Sequence, residues 1–300
     1  MLSTARGGLH CLAGLRHCRA CNGPCFQGFS DVQVIGLCRF SYPAIGGFQV
    51  DFDDFAEKLD YLYAPARMEE RFATFETITL PPLRAQTDPD FTFVVVIGDS
   101  LPNHYRTRLE TLLAGMPQAV IQSHAPEQHR PVMKRIINSV RRDDGAPCLQ
   151  FRMDDDDAVA IDFVARLRQV AGDVRDLAAR DPLLAIDFNR GFIVCPGADG
   201  VAAVETTAPY QTAALAMMVA PSSRQTIMNF AHHKLPEKMT TVTVTDTVMM
   251  LRGHNDYNDS RQGPSAKRHK LKLMDADGEA LLRDRFAIDC DAVRRAFSAL

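Results

Sequence analysis

No stretch of the chain stays apolar over the roughly 18–20 residues that a membrane-spanning helix requires. The best candidate, 212–220, is too short and reads as a buried strand. A basic surplus is also lacking: 34 lysines and arginines stand against 37 aspartates and glutamates, for a net charge of −3. A general nucleic-acid binder normally carries a positive excess, so that class is disfavoured. No G-x-x-x-x-G-K-[ST] run occurs, which argues against a P-loop enzyme, and the pair Gly46-Gly47 is too little for a dinucleotide fingerprint. A continuous apolar signal segment is absent too, because His10 and Arg16 interrupt the only candidate near the start.

Acidic residues are missing from residues 1–30, which contain Arg6, Arg16 and Arg19 before the first aspartate, Asp31. This composition is foreign to the rest of the chain and is expected to mark a disordered or spurious leader. Cys11, Cys18, Cys21 and Cys25 fall within it, at a spacing that can also ligate zinc. The other four of the eight cysteines, Cys38, Cys148, Cys195 and Cys290, are scattered in mostly apolar company. Scattered cysteines read as small buried hydrophobes in a reducing compartment. The expected location is therefore cytoplasmic, with at most peripheral attachment to the inner membrane.

What is present is an ordinary globular composition, 46% apolar and 24% charged over 300 residues. One domain over 31–300 is expected, with a nucleotide-binding half over about 31–157 and an acceptor half over about 158–300. Apolar runs at 31–38, 91–97, 118–121 and 148–153 alternate with helical spacing at 68–83, 102–113 and 131–142. Strand–helix alternation of this kind builds a doubly wound, mostly parallel α/β sheet with flanking helices. A long loop is expected over 39–65, and the prolines Pro81-Pro82 are expected to end the first helix. Beyond the fourth strand, 158–179 reads as one helix, and 183–188 with 192–195 as a hairpin turning at 189–191. A helix over 222–230, a smaller mixed β-rich C-terminal part including 239–251, and one or two helices over 279–300 complete the expectation.

The fourth strand runs directly into Asp154-Asp155-Asp156-Asp157. Adjacent like charges repel by about 1 kcal/mol per pair at ~4 Å in water, and more strongly where water is excluded. Such a run at the carboxyl end of a buried strand makes sense if a divalent cation sits there with substrate phosphates. Residues i and i+2 of an extended chain share a side, so Asp154 and Asp156 are expected to face one cation while Asp155 points away. Asp157 is expected to cap the following helix. The run lacks the alternation and distant Glu of an EF-hand.

Phe151-Arg-Met-Asp-Asp-Asp-Asp157 resembles the Asp-x-Asp signature of GT-A glycosyltransferases. Taken with Val34-Ile-Gly-Leu-Cys-Arg-Phe-Ser-Tyr-Pro-Ala44, the stretch from Arg71 to Asp88, and Val96-Ile-Gly-Asp-Ser-Leu-Pro102, it is similar to the putative rhamnosyltransferase family of bacteria. The resemblance runs from about Val34 to about Ser260. It implies a GT-A-like fold and a metal-dependent hexosyltransferase that moves a sugar, rhamnose by the family's label, from a nucleotide-sugar donor to a glycan or glycolipid acceptor. It implies Mn²⁺ or Mg²⁺ as cofactor, Asp154 and Asp156 as metal ligands, and a late histidine, His254, completing the shell. Arg39 lies in the loop where such proteins hold the nucleotide, so Arg39, Asp154 and Asp155 are the expected donor-binding residues. An inverting transferase also needs a general base, usually a carboxylate. Asp256 and Glu205 are the candidates, with Asp246 a third that the sequence does not separate from them.

His232-His233 reads as a satisfied or exposed pair, and the basic helix bearing Lys134, Arg135, Arg141 and Arg142 as a solvated face. Two other functions fit an aspartate cluster: a different metal-dependent phosphate enzyme such as a nucleotidyltransferase, and a non-catalytic divalent-metal binding module.

Overall fold

The computed structural model describes residues 31–46, 54–211, 213–254 and 270–300. The first half alternates as expected: β1 (Gln33–Arg39), α1 (Phe55–Leu62), α2 (Pro65–Thr74), α3 (Leu80–Arg84), β2 (Thr92–Gly98), α4 (Asn103–Leu113), β3 (Ala119–His124), α5 (His129–Val140) and β4 (Cys148–Asp154). Next come β5 (Ala158–Val159), α6 (Phe163–Asp173), α7 (Arg175–Ala178), β6 (Leu183–Phe188), β7 (Arg190–Gly197), β8 (Gly200–Thr207) and β9 (Leu215–Val219). The chain closes with β10 (Thr240–Val244), β11 (Met250–Gly253), β12 (Lys272–Leu273), α8 (Ala276–Phe286) and α9 (Cys290–Ser298).

The main sheet has the order β10-β6-β9-β4-β1-β2-β3. Its pairings are parallel except those of β9, which runs antiparallel to both β4 and β6. β1, β2 and β4 are buried along almost their whole length, as parallel strands covered on both faces must be. Phe163 of α6 packs edge-on against Phe151 of β4 and Phe188 of β6, with ring centroids 5.1 and 5.8 Å apart. Burying each such side chain contributes about 1.5–3 kcal/mol. A second, mixed sheet has the order β12-β8-β7-β11-β5; of the β-rich stretch expected over 239–251, β10 joins the main sheet and β11 this one.

Several local expectations are corrected. The expected loop over 39–65 contains α1, started by Asp54, whose carboxylate accepts the Ala56 N–H. Pro81-Pro82 do not end a helix. A π-helical segment, Phe75–Thr79, precedes them, and they fall in the first turn of α3, where a missing N–H is tolerated. The expected helix from 158 starts only at Phe163, because Ala158 and Val159 pair with Leu251 and Met250 of β11. The expected hairpin over 183–195 does not form: β6 joins the main sheet while β7 joins the second, so the turn at Asn189 passes the chain from one sheet to the other. In place of a helix over 222–230 there is a single 3₁₀ turn, Ile227–Asn229. Residues 1–30, with their cysteines, lie outside the described residues.

Candidate active site

Arg39 and Asp154 are register partners at the carboxyl ends of adjacent parallel strands, so their side chains emerge together. Arg39 Nη2 donates to Asp154 Oδ1 at 3.2 Å. Asp154 is the last strand residue, and the Asp157 N–H donates back to its carbonyl at 3.2 Å, closing a turn. This turn, rather than continued extension, is what gathers the carboxylates. Asp154, Asp156 and Asp157 each place an oxygen within 4.8 Å of the others.

Asp155, already in the turn, leaves the cluster and enters a buried ion pair with Arg71. Its carbonyl accepts Thr79 Oγ1 at 2.9 Å. These two contacts tie the turn to the end of the π-helical segment.

Asp157 does not cap a helix either. One of its oxygens accepts the Gly253 N–H at 3.1 Å and the other the Asp154 N–H at 3.2 Å, clamping β11 to the turn. The β5–β11 pairing brings Gly253 against Asp156. A Cβ at residue 253 would lie 2.6 Å from Asp156 Cγ and 2.6 Å from its carbonyl oxygen. His254 follows immediately, with its N–H on the Val194 carbonyl at 2.8 Å. The topology therefore brings Asp154, Asp156 and His254 to one corner, although the converging carboxylates are those of Asp154, Asp156 and Asp157.

The electrostatics suit a hard cation. Burial, reinforced by Asp157, Asp154 and Asp155, pushes the Asp156 carboxyl well above the ordinary range. Burial, with Asp154 adding to it, raises Asp157 to about 6. Burial would also raise Asp154, but the charges of Arg39, Arg252 and Arg152 outweigh it and hold that carboxyl low. Mutually destabilised carboxylates with oxygens this close fit the all-oxygen donor set of Mg²⁺ or Mn²⁺.

Beside the aspartates opens a cleft whose polar wall is Arg39, His129, Arg152, Asp154, His232 and Arg252. Burial, with help from Arg39, brings the Arg152 guanidinium down to about 10, and its Nε is buried without a hydrogen-bond partner. Burial works against the Arg252 charge, yet Asp157, Asp154 and Asp156 outweigh it and raise its pKa. Burial and the Arg39 and Arg152 charges press His129 down to about 3, so it is neutral at pH 7.

Sequence reasoning passed over Arg152, Arg252 and His129, and it read His232 only as half of a satisfied or exposed pair; its Nδ1 is indeed satisfied, by the Tyr210 carbonyl. The visible signal was a charged residue inside an apolar strand: Arg152 in Phe151-Arg-Met153, and Arg252 in Met250-Leu-Arg-Gly253. Glu205 is not brought to the cleft; it is exposed on β8 and pairs with Arg190 at 3.0 Å. Asp246 is likewise on the surface, paired with Arg166 at 2.6 Å. Asp256 lies outside the described residues. Of the helix expected as a solvated face, Arg135 is exposed and pairs with Glu127, whereas Arg141, just past the end of α5, is drawn in to donate to the carbonyls of Ser223 and Ala220.

Comparison with known proteins adds a family. Among curated proteins none matches the sequence. Solved structures with some likeness include Staphylococcus aureus TarS 1–349 in complex with UDP-GlcNAc, 8% identical, covering 76% of this chain with a TM-score of 0.40. The chain spans 60% of that protein's length. A putative glucose-1-phosphate thymidylyltransferase from Bacillus anthracis, in complex with a sucrose, is also 8% identical, over 71% of this chain and 87% of its own, with a TM-score of 0.32. Likenesses this faint carry no functional argument. The family model does: it matches residues 33–267, from the first strand past the aspartate cluster and β11, and the chain belongs to the family it describes, putative rhamnosyl transferase.

Proposed function

We propose that the chain transfers a sugar from a nucleotide-sugar donor to a hydroxyl of a glycan or glycolipid acceptor with the help of Mn²⁺ or Mg²⁺. One observation carries the reading: three carboxylates converge within 4.8 Å at the carboxyl end of β4, beside a cleft walled by Arg39, Arg152 and Arg252. Ligands of doubly wound sheets bind at that end of the strands. Asp154 and Asp156 are the residues that would hold the cation, with His254 beside them. When bound, the cation supplies positive charge for the departing nucleoside diphosphate.

The chain's own groups complete the site. Arg39, Arg152 and Arg252 come from three different strands and present guanidinium groups to one cleft, an arrangement suited to phosphate oxygens. Arg39 also orients Asp154 through their ion pair. The buried Asp155–Arg71 pair holds the turn in place, which limits the reorganisation needed when charge develops on the leaving group. The family's name points to rhamnose as the sugar. Among the described residues no helix is long and apolar enough to cross a membrane, which is compatible with a cytoplasmic enzyme that meets lipid-linked acceptors at a membrane surface.

Incubation with a panel of nucleotide sugars, dTDP-rhamnose included, tests the reading. The expected result is Mn²⁺-dependent release of nucleoside diphosphate from at least one donor, abolished by chelator. Cleavage of a polynucleotide instead, or sugar-nucleotide synthesis from a nucleoside triphosphate, would replace it with one of the other phosphate chemistries.

A further inference from the structure

We propose that His232 takes the proton from the nucleophile: its Nε2 accepts the hydrogen of the acceptor hydroxyl, or of water in donor hydrolysis, as that oxygen attacks the donor's anomeric carbon. The inference rests on the glycosyl-transfer reading and assigns a group to its unassigned step. In that step the oxygen–carbon bond forms, the bond from the anomeric carbon to the diphosphate oxygen breaks with its electron pair, and the proton passes to the imidazole.

The support comes from how the ring is held. Asp187, fully buried on β6, accepts the Tyr210 N–H at 3.0 Å. Tyr210 sits at φ 60°, a left-handed conformation that a non-glycine residue keeps only where its surroundings fix it. So fixed, the Tyr210 carbonyl meets His232 Nδ1 at 2.8 Å. A carbonyl can only accept, so Nδ1 carries the hydrogen and Nε2 carries the lone pair. Among the described residues Nε2 makes no hydrogen bond and is not sealed from solvent, whereas His129 Nε2, also on the cleft wall, is buried without a partner and out of a substrate's reach.

Among the described residues, the carboxylates weighed for site roles are committed elsewhere. Asp154 is paired with Arg39, Asp155 with Arg71, and Glu205 with Arg190 on the far sheet. The groups acting on the ring are Arg152 from β4, Arg252 from β11 and the neighbouring His233. Burial, together with those arginines, keeps it neutral at pH 7, with a pKa of about 4. A bound diphosphate offsets the same two arginines, so the ring becomes more basic when the donor is in place.

The test compares wild type with His232→Asn, whose amide can still donate to the Tyr210 carbonyl but has no basic lone pair. Nucleoside diphosphate with Mn²⁺ should bind within about threefold of wild type, while donor turnover falls by about 10²-fold or more, the range general bases contribute. Turnover of His232→Gly should be partly restored by added imidazole. If His232→Asn turns donor over within threefold of wild type, the assignment fails while the transferase reading stands. If binding and turnover of His232→Asn fall together and imidazole restores nothing in His232→Gly, His232 is structural and the assignment also fails. Absence of any donor turnover by the wild-type chain overturns the transferase reading and this one with it.

Discussion

Gly253 of β11 and Asp156 of the turn after β4 lie nearly a hundred residues apart in sequence and touch with no room for a side chain between them, a Cβ at Gly253 falling 2.6 Å from Asp156 Cγ. Backbone and carboxylate both lie in the way, so relief requires moving the turn that carries the aspartates. Gly253→Ala should therefore cost about 1–3 kcal/mol by overpacking. It should also lower Mn²⁺-dependent donor turnover at least about tenfold, since small displacements of reacting groups are costly. Melting curves and a diphosphate-release assay check both halves. Normal turnover in Gly253→Ala would show that the position of Asp156 is not set by this contact.

Asp155 and Asp156 are neighbours with opposite roles, and their asparagine variants should separate. Asp155→Asn removes one charge of a buried ion pair, a loss on the order of 3–5 kcal/mol. Asp156→Asn removes a carboxylate repelled by three others, so the cation-free protein should melt no lower than wild type. Denaturant titration in chelator distinguishes them, and a large destabilisation in Asp156→Asn with none in Asp155→Asn would invert the assignment.

Arg152 lines the cleft, with its Nε buried and without a hydrogen-bond partner. Arg152→Met, similar in length but uncharged, should keep the fold and weaken nucleoside-diphosphate binding about tenfold or more, as expected for one lost charge-assisted contact. The salt dependence of binding should flatten in parallel. Unchanged affinity in a titration at low and high salt would exclude Arg152 from the diphosphate site.

Asp187 gives a pH signature. Burial raises its carboxyl to about 6 in the folded protein, above the unfolded value of about 3.9. The folded state then binds the proton more tightly, so this group's contribution to stability falls as pH rises from about 4 to about 6 and is level beyond. The melting temperature of wild type relative to Asp187→Asn should fall across that window. A flat difference would show that folding leaves the Asp187 carboxyl unshifted, and a rising one that folding lowers its pKa.

The main sheet was legible because β1, β2 and β4 are continuous apolar runs, a pattern that only a doubly covered strand explains. The aspartate corner was legible for a related reason: four carboxylates at the end of such a strand need an electrostatic partner. What escaped was everything set by tertiary placement. The run Leu183–Phe188 and the residues after Asn189 look like hairpin arms in sequence, yet each is apolar for a different sheet. The π-helical segment hid behind Pro81-Pro82, which read as a stop but sit in a first turn. Arg152, Arg252 and His232 converge only because β4, β11 and the segment after β9 end at one cleft, and no local pattern of residues encodes that convergence.

The central claim is that Asp154 and Asp156 hold a divalent cation against the donor's diphosphate. Calorimetric titration of Mn²⁺ with nucleoside diphosphate into wild type and into Asp156→Asn tests it most directly. The account predicts metal-dependent binding by wild type that chelator abolishes, and binding at least about tenfold weaker in Asp156→Asn, whose melting temperature without cation stays at or above that of wild type. Equal metal-dependent binding by the two proteins, or binding by wild type that chelator leaves unchanged, would contradict it.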